Sequence, residues 1–162
     1  KWVNDLLVHG SKVAVVLTAS RIQGARVQLA VFGVGLNLEH APRLPWTPFV
    51  PAAGCLRRLP GGEDVTPRAL LDGLLGAITR RLAVLCHDGP AALLAVYRQR
   101  AMIMGRRVMI WEEGRLPPHP PTASGVVTAI QDDLSLLLSG LDRPVTRGRL
   151  ALASAVEEGD QS

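Results

Sequence analysis

The spacing of apolar positions changes along this chain, and each change predicts a different kind of element. From Lys1 to Val8 the side chains alternate: Lys1, Val3, Asp5 and Leu7 share one face of an extended segment, and Trp2, Asn4, Leu6 and Val8 share the other. His9-Gly10 supplies a turn, because glycine tolerates positive φ, and Ser11 to Thr18 returns as a second strand. A hairpin is therefore expected, with Lys12 just past its bend. Ala19 to Ala25 is polar, contains Gly24 and reads as a connecting turn. Arg26 to Leu38 is nearly continuous in apolar character, which predicts a strand covered on both faces.

Glu39 to Gly62 carries Pro42, Pro45, Pro48, Pro51 and Pro60. Proline blocks helix and central strand alike, so a surface loop is expected, with Trp46 and Phe49 pinning it to a core. Thr66-Pro67 then combines a capping hydroxyl with proline at the first helical position. Behind it Leu70, Leu71, Leu74, Leu75, Ile78, Leu82 and Leu85 recur at helical spacing, leaving Arg68, Asp72, Thr79 and Arg80 outside. His87-Asp88-Gly89-Pro90 ends this helix, and Ala91 to Met102 forms another. From Met104 the pattern shortens: Arg107 to Trp111, Gly125 to Ile130 and Leu134 to Ser139 read as strands, and Val145 to Ala153 adds a further one. Short strands at that density make a small barrel. The expected fold class is α/β of the α+β type, a mixed β-sheet flanked by helices and followed by that barrel. The boundaries fall at 1–103 for the first domain and 104–156 for the second, with an acidic tail at 157–162 that reads as disordered.

Composition narrows the chemistry. A chain of 162 residues that is 48% hydrophobic suits one domain, or one domain with a small appendage, and a real core. The 18 basic against 14 acidic residues permit an anionic partner such as a nucleotide or nucleic acid, but the surplus is scattered arginine, which reads as solvated surface. No uncharged apolar run reaches the roughly eighteen residues of a membrane helix, and no signal peptide opens the chain, so a soluble, cytoplasmic protein without a membrane partner is expected. Cys55 and Cys86 give no framework of bridges or metal ligands and read as buried or idle thiols. His9, His40, His87 and His119 occur singly in turns without zinc spacing, and no serine sits in a nucleophile elbow, so nothing supports hydrolysis. Gly33-Val34-Gly35 lacks the later glycine of a dinucleotide fingerprint, and no Gly-Lys-Ser/Thr follows. Glycine inside a strand calls for close approach, by a packed neighbour or by a ligand.

Three segments carry a family resemblance. Lys1-Trp2-Val3-Asn4-Asp5-Leu6-Leu7 resembles the Lys-Trp-Pro-Asn-Asp-Leu signature of biotin protein ligases, and Lys12-Val13-Ala14 resembles the Lys-hydrophobic-Ala segment that follows it. Val31-Phe32-Gly33-Val34-Gly35-Leu36-Asn37-Leu38 is similar to their Gly-x-Gly-hydrophobic-Asn strand, in the same order and spacing. Val3 stands where the family usually has proline, and Val15 where it usually has glycine. Further on, Ala53-Gly54-Cys55-Leu56 is similar to a small-residue and Ser-Leu segment, two helices joined by Asp-Gly-Pro lead to Tyr97-Arg98, and the final strands are similar to the SH3-like domain that ends these ligases. The family's Arg/Gly-rich loop is expected upstream of Lys1, so the chain is expected to be a fragment.

The resemblance implies an ATP-dependent ligase that makes biotinyl-5'-adenylate and passes biotin to a lysine of a biotin carboxyl carrier domain. Lys12 and Asp5 would then be catalytic. Lys12 would hold the biotin carboxylate, with Lys1, Gly33 and Gly35 also lining the substrate. Asn4 and Asn37 would lie near the nucleotide, and Asp5 would serve Mg²⁺, which needs few carboxylates. A fixed lysine suits the task because joining a carboxylate to ATP brings two anions together. On their own residues, Lys12 also reads as a solvated strand lysine, and Asn4 and Asn37 as turn or capping residues. The rivals are a lipoate ligase of the same fold and a non-catalytic binding module, the latter motivated by Val3 and Val15. A homodimer stays open; nucleic acid is not expected, because the barrel segment shows little interleaving of aromatic and basic residues.

Overall fold

The computed structural model describes residues 2–45, 47–50, 52–115 and 117–153. In chain order they form β1 (Asp5–Val8), β2 (Ser11–Gln23), β3 (Arg26–Leu36), a 3-10 turn at Leu56–Arg58, α1 (Pro67–Asp88), α2 (Pro90–Arg100), β4 (Arg107–Trp111), β5 (Ala123–Ile130), β6 (Leu136–Leu138) and β7 (Arg149–Leu152). Two antiparallel sheets and two helices make a mixed α/β fold. Contacts divide the chain into two units: Val3–Pro45 with Ala52–Val65, and Trp2 with the 47–50 loop tip and the residues from Thr66. Lys1, Trp46 and the 157–162 tail, which carried expectations above, lie outside the described residues.

The first unit is the sheet β1-β2-β3. Its opening differs from the expected strand from Lys1 to Val8, because the chain turns at Trp2 to Asn4 and pairs only from Asp5. Burial of the indole outweighs continued alternation: Trp2 is 8% exposed in the second unit's core, and its Nε1–H donates to the Leu134 carbonyl at 2.8 Å. Ala19 to Ala25 is likewise not a connecting turn. β2 runs through it to Gln23, with Ser20 opposite Ala30 and Arg21 opposite Leu29, and the chain reverses only around Gly24 at φ 58°. Polar side chains are tolerated there because both faces are exposed, and the ladder of backbone hydrogen bonds decides the element. The apolar run of β3 does form a strand, but Val27, Leu29, Val31 and Phe32 are exposed rather than covered. Covering a face takes a second layer, and among the described residues of this unit the only helical element is the one at Leu56–Arg58.

The second unit begins with a helix whose ends are those the sequence predicts, but its leucine face is not covered as expected: Leu71, Leu75, Leu82 and Leu85 are exposed. Thr66 Oγ1 accepts the Ala69 N–H at 3.2 Å, Pro67 opens α1, and Gly89 at φ 76° closes it by donating to the Leu85 carbonyl. Arg98 on α2 donates from Nε to the Ile130 carbonyl at 2.8 Å and pairs with Asp132 at 2.7 Å, which ties the helix to the end of β5.

The small sheet, in the order β6-β5-β4-β7, buries both of its faces around β4. Val108 opposite Leu152 and Ile110 opposite Leu150 face a core completed by Ile103, Val127, Ile130, Leu136 and Leu138. Met109 opposite Ala151 and Trp111 opposite Arg149 face the other way, toward Phe49. Phe49 meets Trp111 edge-on with ring centroids 5.5 Å apart, and the Arg149 guanidinium lies 4.3 Å from the Phe49 ring centre. Edge contacts of this kind contribute about 0.5–1.5 kcal/mol beyond area burial, and a cation over a ring about 0.5–2 kcal/mol. Phe49 thus pins the proline-rich loop, as its composition suggested. Gly148, at φ 128°, is required beside this sheet: a Cβ there would lie 2.6 Å from Ile110 Cγ2 and 2.8 Å from the Trp111 carbonyl oxygen.

Tyr97, the chain's single tyrosine, packs against the first of these cores, and burial raises its phenol above the ordinary value. The folded state therefore favours the neutral phenol, so the stability it contributes is complete below the unfolded value of about 10 and is lost as pH rises through the folded value. Phenolate absorbance followed on raising the pH should show a midpoint above that of free tyrosine; a midpoint at or below about 10 would contradict the packing.

Candidate functional site

A one-residue slip in the β1–β2 ladder assembles the charged centre. Asp5 pairs with Val15 and Leu6 with Ala14, but Leu7 pairs with Lys12, so Val13 is the extra residue of a bulge. Without the slip, strict alternation from Val15 would send Lys12 to the opposite face. With it, Lys12 lies across from Leu7, which shares a face with Asp5, and Lys12 Nζ reaches Asp5 Oδ1 at 2.6 Å. The pair is only partly open to water, with the Lys12 side chain 27% and the Asp5 side chain 11% exposed. Opposite charges held at that distance fix each other's rotamers.

The returning end of the proline-rich loop holds the backbone of this lysine. The Lys12 N–H donates to the Ala52 carbonyl at 3.0 Å, the Gly54 N–H donates to the Lys12 carbonyl at 2.9 Å, and Lys12 bridges Ala53 in parallel register. Gly54 is needed for this approach, since a Cβ would stand 2.9 Å from Ser11 Cβ and 3.5 Å from Val13 Cγ1. Asn37 joins the same network. Its N–H donates to the Val13 carbonyl at 2.8 Å and its Nδ2–H to the Gly54 carbonyl at 3.0 Å. Buried Cys55 donates from Sγ to the Glu39 carbonyl at 3.2 Å, and Arg57 pairs with Glu39 at 2.5 Å and donates to the Val65 carbonyl at 3.1 Å. Cys86, by contrast, is an exposed free thiol.

Of the residues singled out by sequence, the structure brings Asp5 and Lys12 into contact and ties Asn37 to Lys12 through Gly54. Asn4 is half-buried just before β1, where its carbonyl accepts the Val16 N–H at 2.9 Å. Gly35 lies opposite Val15, and a Cβ on it would meet Val15 Cγ1 at 3.4 Å, so a cross-strand neighbour occupies that approach. At Gly33 the nearest atom to such a Cβ is the Leu17 carbonyl oxygen, at 3.9 Å. Asp5, Val15 and Gly35 form one cross-strand row, which sets the Val15 side chain on the same face as the charged pair. Lys1 lies outside the described residues. Sequence reasoning placed Gly54 in a small-residue segment without assigning it to the site. The signal was the change from bulky to small side chains at Ala52-Ala53-Gly54, where backbone must meet backbone.

No family model matches the chain. It is 33% identical over 145 residues to the Biotin--[acetyl-CoA-carboxylase] ligase of Paracoccus denitrificans, across 86% of this chain and 56% of that protein. The chain belongs to the biotin protein ligase family. A shorter stretch of 42 residues is 36% identical to the bifunctional ligase/repressor BirA of Bacillus subtilis (strain 168), over 26% of this chain and 13% of that one. The fold is similar to that of a biotin protein ligase from Aquifex aeolicus in complex with biotin and ATP, with a TM-score of 0.67 at 18% identity over 93% of this chain and 60% of that one. The chain therefore spans little more than half the length of the ligases it resembles. Among the described residues no helix is long and apolar enough to cross a membrane.

If the backbone clamp on Lys12 of this ligase-family chain is as tight as the distances require, Gly54→Ala should cost about 1–3 kcal/mol, the usual range for overpacking. Urea unfolding followed by far-ultraviolet dichroism measures it, and an unchanged midpoint would show that the segment yields freely.

Proposed function

We propose that this chain carries part of the active site of a biotin protein ligase, in which Lys12 stabilises the charge that builds up as a carboxylate attacks ATP. The observation that carries the reading is the partly shielded Lys12–Asp5 pair at 2.6 Å, set by a bulge beside a clamped backbone. In the reaction a biotin carboxylate oxygen bonds to the α-phosphorus of ATP while the bond to pyrophosphate breaks, giving biotinyl-5'-adenylate. A carrier lysine amine then attacks the acyl carbon, and AMP leaves with the bonding electron pair. Lys12 begins parked on Asp5 and exchanges part of that contact for the substrate carboxylate and the phosphoryl oxygens. Fixed, preorganised charge of this kind is worth roughly 10² to 10³ in rate.

The donor set suits a magnesium ion arriving with ATP. Asp5 offers one carboxylate, and Mg²⁺ takes one or two carboxylates with phosphate and water oxygens. When bound, the ion would draw charge from the phosphates; the protein's part is to hold Asp5 in place through Lys12 and the β1–β2 ladder. Asn37, directly after β3, is placed near the nucleotide in this reading, Gly33 and Gly35 line the substrate, and Lys1 neighbours the adenylate. The carrier is a biotin carboxyl carrier domain, the setting is cytoplasmic, and the segment from residue 104 is an SH3-like barrel.

Val15 favours a second reading. Its side chain lies on the charged face over Gly35, where it would narrow ligand access, as in a binding module that has lost catalysis. One assay separates the two. In the full-length protein, biotin-dependent pyrophosphate release should be measurable, and Lys12→Ala should lower it by on the order of 10² to 10³. Near-normal release from Lys12→Ala would refute the role of that lysine. No release from the unaltered protein would favour the binding module, and release driven by lipoate in place of biotin would reassign the substrate.

A further inference from the structure

The face of the β1-β2-β3 sheet that bears the charged pair is uneven, and the unevenness follows its cross-strand rows. In the row of the pair, Asp5 lies opposite Val15 and Val15 opposite Gly35. Val15 leans over the glycine: its Cγ1 stands 3.4 Å from where a Cβ on Gly35 would be, so the space that glycine leaves is already filled. The next row on this face, two residues along β2, pairs Leu17 with Gly33. There the nearest atom to such a Cβ is backbone, the Leu17 carbonyl oxygen at 3.9 Å. Leu17 is 62% exposed, and Val31, the residue beyond Gly33 on the same face, is 55% exposed. The glycine side of the face is thus blocked beside the charges and open one row further out, at a distance of about 7 Å. The hairpin turn at His9-Gly10 ends the sheet on the other side of Lys12, so its apolar surface extends from the lysine in the Val15 direction.

We infer that Val15 is a specificity-determining residue, which measures the arm joining a substrate's carboxylate to its bulk. The inference rests on the adenylation reading, in which Lys12 receives the carboxylate, and adds to it the class of acid that the site accepts. A chain leaving that carboxylate passes the Val15 methyls before it reaches the open row at Gly33, with its apolar border of Leu17 and Val31. An unbranched arm passes; a branch or ring close to the carboxyl group meets a β-branched side chain that has little rotamer freedom to move aside. The class is therefore a carboxylic acid whose bulk stands several methylenes from its carboxyl group, as the ring system of biotin does. Val15 selects for the arm and is indifferent to the identity of the ring.

The test uses the full-length protein and two acids, biotin and an analogue whose arm is one methylene shorter, with kcat/KM for acid-dependent pyrophosphate release measured for each. The unaltered protein should prefer biotin by roughly 10- to 200-fold, the range that one methylene commands in an apolar pocket. Val15→Ala should bring the preference to within about threefold, because the shorter arm then clears the row at Gly35. Val16→Ala, the same truncation on the opposite face of β2, should leave the preference as it is. Both acids are read on one enzyme, so any loss of folded protein cancels from the ratio. No preference in the unaltered protein, an unchanged ratio in Val15→Ala or an equal fall in Val16→Ala would overturn the inference. Absence of pyrophosphate release from the unaltered protein with either acid would sink the adenylation reading instead. The ratio of dissociation constants from equilibrium dialysis of the two acids would then decide on Val15 by the same outcomes, with binding of neither acid counting against it.

Discussion

The structure around the site depends on one ion pair being made at the right register. Lys12 and Asp5 are close because the β1–β2 ladder slips by one residue, and the slip survives because the backbone on both sides of Lys12 is hydrogen-bonded to the 52–54 segment. Remove the slip and the two charges sit on opposite faces of the sheet, each partly shielded from water without its partner. An unpaired charge in such a place costs far more than the pair itself contributes, so the pairing acts as a constraint on register more than as a source of stability. Charge pairing and strand register are in this way the same geometrical fact.

A second constraint operates on the far side of the proline-rich loop. β4 alternates between two cores, and the face bearing Trp111 and Arg149 is filled by Phe49, a side chain from a stretch with no regular structure of its own. Trp2 does something similar from the other end of the motif segment: its indole enters the main core of the small sheet and satisfies its N–H on Leu134. Trp2 and Phe49, far apart in sequence from β4 to β7, thus each complete one of the small sheet's two cores.

Much of this was legible from the chain alone. Local rules suffice where neighbours along the sequence make the structure: Thr66-Pro67 and Gly89-Pro90 bound α1 and start α2 because caps and fixed φ values are properties of those residues. The spacing of Asn4-Asp5, Lys12 and Gly33 to Asn37 likewise marked the family before any coordinate was known. What local pattern could not show was the bulge at Val13, the continuation of β2 through polar residues to Gln23, the turn that frees Trp2 from the first strand, and the close approach that requires glycine at 54.

The division has a physical cause. Helix caps, turns and hydrophobic periods depend on interactions within a few residues, so the amino-acid order determined them, and with them the family and the types of side chain offered for chemistry. Register, and therefore which face Lys12 occupies, depends on pairing between segments far apart in the chain. Only the tertiary structure could decide that, since every register satisfies the same local preferences and only one brings the lysine to the aspartate.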